Sequence, residues 1–191
     1  RLLEDERSAL GTPLFAASRE AQGFLTAPPL PVEWGPGAAL ELRGPLGRGL
    51  RLPDRALRLA LLAVGQTPAR LMPFAVQALS RSETSVALFT DAHLPWLPAA
   101  LEVQPLQNIA EALGWADFLA IDIPLTRLAD LRRILGLGDG ERLPCPGEAL
   151  VEAPMPCAGL ADCGACAVPG RGGWKLACKD GPVFDIHDLE W

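Results

Sequence analysis

Four cysteines crowd into the last 35 residues of a chain of 191. They are Cys157, Cys163, Cys166 and Cys178, spaced C-x5-C-x2-C-x11-C. Three thiols share one loop and the fourth returns from downstream. The stretch around them is rich in Gly and Pro and leaves little room for helix. So small a segment buries little apolar surface, and a metal or disulfide staple is expected to hold it. Gly159 and Gly164 fall between the thiols. Glycine lets backbone N–H groups come close and point inward, where they can bond to a thiolate or sulfide.

Three kinds of staple compete. Disulfides suit an oxidising compartment and an even count, whereas the chain has five cysteines and no visible secretory signal. Structural zinc usually shows two C-x2-C knuckles, and only one such pair is present. The plant-type [2Fe–2S] spacing is C-x4-C-x2-C followed by a distant Cys. This chain has the same layout with one residue more in the first gap. The spacing therefore ranks iron–sulfur ahead of zinc, and zinc ahead of disulfides. Cys145, in Leu143-Pro144-Cys145-Pro146, has no partner in the pattern and reads as a plain buried thiol.

Composition excludes several other classes. The net charge is −6, against the basic footprint that non-specific nucleic-acid binding needs. No apolar run is long enough to span a bilayer. Hydrophobic residues at 49% and charged residues at 21% fit a packed soluble domain, expected to be cytoplasmic. The chain begins with Arg1, which leaves room for residues in front.

The pattern along the chain changes twice. Residues 1–54 are punctuated by prolines, with strands expected at 14–18 and 38–43 and a possible helix within 1–10. Gly44-Pro45-Leu46-Gly47-Arg48-Gly49 reads as a tight turn. Residues 55–140 alternate strand and helix, which implies a parallel α/β sheet. Residues 57–64 form an apolar run suited to a strand buried on both faces. Thr67 is a good N-cap and Pro68 a good first helical residue. Further strands are expected at 85–90 and 118–123, and helices at 106–113 and 124–135. Residues 141–191 make a third unit, with a strand at 148–153 ahead of the cysteines.

Met155-Pro156-Cys157-Ala158-Gly159-Leu160-Ala161-Asp162-Cys163-Gly164-Ala165-Cys166 is followed by Cys178-Lys179-Asp180-Gly181-Pro182-Val183-Phe184. This pair of motifs resembles the iron–sulfur domain of the dihydroorotate dehydrogenase electron transfer subunit, within the ferredoxin reductase-like superfamily. The resemblance implies that Cys157, Cys163, Cys166 and Cys178 ligate one [2Fe–2S] cluster. It implies a partial FAD-barrel-like β region in 1–54, an NAD-binding-like α/β domain in 55–140 and a cluster domain in 141–191. It further implies a catalytic partner, a dihydroorotate dehydrogenase-like flavoprotein, and a role in pyrimidine biosynthesis. The glycine turn at 44–49 is similar to the one that closes the family's barrel. Gly65, Thr67 and Pro68 stand in the place of its nucleotide loop.

The departures from that family fall in the first two units. A chain without Tyr lacks the Arg-x-Tyr-Ser/Thr signature for FAD. The loop Val64-Gly65-Gln66-Thr67-Pro68-Ala69 has one glycine where a pyrophosphate site wants several. Phe118-Leu119-Ala120-Ile121-Asp122-Ile123-Pro124 replaces a Cys-Gly pattern near the nicotinamide. These departures count against FAD and NAD(P)H, while the cluster thiols are all present. The reading is an iron–sulfur electron-transfer subunit. The alternatives are a complete FAD/NAD(P)H-dependent reductase with altered motifs, and a structural subunit with a zinc site.

The remaining candidates have plainer readings. His93 and His187 lack a visible partner. Asp117 and Asp122 flank a predicted strand and read as residues at its turns. Arg43 and Arg48 beside the 44–49 turn form a weak phosphate signal. Trp174 and Trp191 are expected to pack the core of the last unit.

Overall fold

The computed structural model describes residues 10–65, 67–93 and 97–191. The possible helix within 1–10 lies, but for Leu10, outside the described residues, as do Gln66 of the loop and Leu94 and Pro95 beside His93. Two strands form first, β1 (Ala16–Glu20) and β2 (Gly23–Thr26), paired as an antiparallel hairpin. No further strand is described before residue 58. Residues 38–43 were expected to be a strand from their alternation, but they run exposed and unpaired. Alternation without a neighbouring strand leaves its backbone groups to water.

The body of the molecule is a six-stranded sheet. Its strands are β3 (Arg58–Ala63), β4 (Ser85–Phe89), β5 (Glu102–Gln104), β6 (Phe118–Pro124), β7 (Gly147–Glu152) and β10 (Val183–Asp185). Their order is β10-β7-β6-β3-β4-β5. All neighbours are parallel except β10, which runs antiparallel to β7. A further two-residue pair, β8 (Ala167–Val168) and β9 (Lys175–Leu176), lies between the third and fourth cysteine and its return. The mixed α/β class expected from the alternation is therefore present. The sheet also takes in two strands from beyond residue 140.

Both faces of the sheet are covered, which explains the unbroken apolar run of β3. Leu59 and Leu61 face Met72, Phe74, Ala75 and Ala78 of helix α1 (Met72–Leu79). Leu62, Leu119, Ile121 and Ile123 face the other way, against Ile109 and Leu131. Those two residues open short helices α2 (Ile109–Ala112) and α3 (Leu131–Ile134). Helices expected at 106–113 and 124–135 are thus only partly α: each opens with a 3₁₀ stretch, Leu106–Asn108 and Leu125–Asp130. The same second layer includes Cys166, Val168, Cys178, Phe184 and Leu189. The cysteine segment shares the core of the sheet.

Strand order reverses between β3 and β6, since the chain builds outward to β5 and then returns to the far side of β3. A crevice opens at the carboxyl ends of strands at such a switch point. Here it is a cavity of about 460 Å³ lined by Gly65, Thr67, Arg70, Asp91, Arg127 and Glu152, among others.

Candidate metal centre

The four sequence-predicted thiols come together as two pairs. Cys166 and Cys178 lie with their sulfurs 3.3 Å apart, both buried. The Cys157 thiol hydrogen-bonds with that of Cys163. Cys157 is half-buried and Cys163 is exposed. All four thiols are free of disulfides. Among the described residues, no three His, Cys, Asp or Glu side chains surround one point as a single metal ion requires.

The backbone from the first thiol to the third is bent back on itself. Ala158, Gly159, Ala161 and Gly164 all have positive φ, at 50°, 77°, 65° and 69°. Such a run turns peptide N–H groups toward a common centre. Non-glycine residues adopt it at a cost of about 1–2 kcal/mol each. The groups it gathers are visible at Cys157. Hydrogen bonds from the Cys163 thiol and from the N–H groups of Cys163, Asp162 and Leu160 pull its pKa down from 9.0 to about 6. Cys178 moves the other way, to about 11, chiefly because it is buried, then because its hydrogen bond with Cys166 favours the neutral thiol, and then because Cys166 and Cys157 crowd it with like charge. The N–H of Ala161 opposes that rise. The donor set is therefore four sulfurs, with peptide N–H groups beside those of Cys157 and Cys178, which fits a thiolate-bound cluster.

Cys145 is buried and lies apart from these contacts; burial raises its pKa. Trp191 packs on the shared core and donates from Nε1 to the Ile186 carbonyl at 2.8 Å. The Arg132 guanidinium carbon sits 5.0 Å above its ring. Trp174, expected in the core, is instead 75% exposed, because it stands in the loop that joins β8 to β9. His93 and His187 are exposed, and His187 Nδ1 is 3.1 Å from Asp185.

The crevice holds a second cluster of charge that the sequence reading missed. Gly65 and Thr67 line it, and Pro68 is buried behind them. Thr67 Oγ1 accepts the N–H of Ala69 at 3.1 Å, ahead of the 3₁₀ turn Ala69–Leu71 that leads into α1. The Arg70 side chain is 4% exposed. Its Nε donates to both oxygens of Asp122, at 3.0 and 2.8 Å, and its Nη1 to Glu152 at 2.9 Å. Asp122 is thus an internal partner on β6, not a turn residue. Asp117 pairs with Arg58 at 2.6 Å on the surface. A pyrophosphate needs free N–H groups in this loop. Pro68 has none, and those of Ala69 and Leu71 are already bonded, the latter to the Pro68 carbonyl. Two carboxylates and a bound guanidinium fill the space behind. Among its described residues, the loop thus offers a pyrophosphate few free N–H groups. Among the described residues, 10–57 supply two strands.

Comparison with known proteins agrees with the geometry at the cysteines. Residues 152–190 match the family described as the iron-sulfur cluster binding domain of dihydroorotate dehydrogenase B. No curated protein matches the chain. Among solved structures it is similar to that reported as "Insights into flavin-based electron bifurcation via the NADH-dependent reduced ferredoxin-NADP oxidoreductase structure". The likeness has a TM-score of 0.68 at 20% identity and covers 94% of this chain and 74% of the other. The likeness shows that the chain shares the fold of that structure. The resemblance read from the cysteine motifs is supported, since the match spans all four cysteines.

Proposed function

We propose that the chain is the iron–sulfur electron-transfer subunit of a larger oxidoreductase. One [2Fe–2S] cluster is held by Cys157, Cys163, Cys166 and Cys178. The observation that carries the reading is the arrangement of thiols in two pairs under inward-facing N–H groups. Two pairs suit two iron atoms with two thiolates each better than one zinc with four. The cluster would supply one-electron chemistry. Residues of this chain do the rest. Cys166 and Cys178 are buried and exclude water from one side. Cys163, at the surface, marks the side a partner can approach. The bend at 158–164 stabilises thiolate charge.

A cluster by itself oxidises no organic substrate, so a catalytic partner is required. A dihydroorotate dehydrogenase-like flavoprotein, in cytoplasmic pyrimidine biosynthesis, is the partner the domain match favours. The switch-point cavity favours a second reading, a complete NAD(P)H reductase. The Arg70–Asp122–Glu152 group weighs against it, and electrons would enter from the partner instead.

Anaerobic purification followed by dithionite reduction tests both readings. A rhombic electron paramagnetic resonance signal from two irons per chain, abolished in Cys163→Ser, is expected. A colourless, zinc-loaded chain would sink the proposal. Saturable quenching on NADH titration would revive the reductase.

A further inference from the structure

The 44–49 turn lies outside the named strands, and its contacts go to the ligand loop and, through an isolated bridge from Arg48 to Pro182, to the segment that leads into β10. The side chain of Leu46 lies over Gly159, where an added Cβ would collide with it. Leu46 is half-buried against the same core that holds Cys166 and Cys178. Gly47, at φ 62°, touches the carbonyl of Gly181 so closely that no side chain fits. The Arg48 N–H donates to that carbonyl at 2.7 Å, and Arg48 Nε donates to the Val183 carbonyl at 2.6 Å. Upstream, the Gly11 N–H donates to Pro156 at 2.9 Å. A Cβ there would stand 2.7 Å from Met155 O and from the Cα of Ala158. One short stretch thus grips both arms of the thiol set, residues flanking Cys157 and residues following Cys178.

We infer that Leu46 and Arg48 are positioning residues for the cluster, with Leu46 covering the bend whose N–H groups bond Cys157 and Arg48 fixing the arm that carries Cys178. The inference rests on the assignment of the four cysteines as cluster ligands. Its physical content concerns water. The bend is a surface loop, and Leu46 is the apolar side chain lying on Gly159. Water admitted there stabilises the more negatively charged reduced cluster and competes for the N–H groups. The potential then rises and the cluster is lost faster.

The test uses the full chain with its cluster. Leu46→Ala is expected to raise the midpoint potential, alter the g-values and bleach in air at least about threefold faster than wild type. Leu46→Met, which keeps the cover, stays at wild-type values. Arg48→Met loses the bond to Val183 and bleaches faster as well, an independent check should Leu46→Ala fold poorly. Gly159→Ala displaces Leu46 and mimics Leu46→Ala, and the double variant is no worse than either single one. A loaded Leu46→Ala chain with wild-type potential, spectrum and bleaching rate, but a lower melting temperature, overturns the inference alone. A wild-type chain that loads no cluster overturns the ligand assignment and the inference with it.

Discussion

Trp174 and Phe184 show how much a single side chain's role depends on where the sheet puts it. Both are large rings near the last cysteine. Phe184 lies on β10, 1% exposed, under Gly181 and against the second core layer. Trp174 stands on a loop in water. Phe184→Ala is expected to cost about 3–5 kcal/mol. Trp174→Ala should stay within about 0.5 kcal/mol of wild type. Urea denaturation of the two variants measures this directly, and a large loss at Trp174 would place it in an interface the single chain does not form. That the four cysteines would come together was legible from spacing, because metal-binding chemistry fixes residue type and order. Ala158 and Ala161 were not. A positive φ at an alanine leaves no mark in the sequence, yet these two residues shape the bend.

At the scale of elements, strands β6 and β7 meet at Arg70. It is the only charged residue between Arg58 and Arg81, and Asp122 is the only one in β6. Two isolated, opposite charges in apolar runs were a readable sign of a buried pair, although spacing alone could not join them. Burial pushes the Asp122 carboxyl up from 3.8 to about 6, against the pull of Arg70. The folded chain therefore binds more protons than the unfolded one between about pH 4 and 6. Through that window this group's contribution to stability falls as pH rises, and above it the contribution is constant. Asp122→Asn should remove that slope. Arg70→Met should cost about 3–5 kcal/mol at neutral pH, because it strands a buried carboxylate. It should also carry the slope above pH 6, since the carboxyl loses its counter-charge. Chemical denaturation at several pH values checks both. The strands of this sheet were legible from their apolar runs. The strand expected at 38–43 failed for lack of a partner, and the two later helices each came out part 3₁₀ and part α, because periodicity reports a buried face and not the hydrogen-bond pattern beneath it.

The molecule as a whole binds its cysteine segment into the sheet instead of hanging it alongside. Val168, Ala177, Phe184, Ile186 and Leu189 pack in one layer with Leu119, Ile121 and Leu131. Strand β7 lies inside the sheet, between β6 and β10. A segment of this size read alone needs a staple; read in place, it has the core of its neighbour. Two outcomes follow that differ from those of a free-standing metal domain, which unfolds without its metal. Stripping metal from the chain should leave far-UV circular dichroism and one cooperative thermal transition largely intact. Faster amide exchange should be confined to about residues 157–166, where four left-handed residues and exposed Cys163 depend on the ligand for their shape. Ending the chain at residue 140 should do more harm, since it uncovers β6 along its whole length and removes half of the second layer. That shortened chain should be insoluble or molten. If the stripped chain instead unfolded outright, while the chain ending at 140 stayed folded, the metal would be holding the segment and the shared core would count for little.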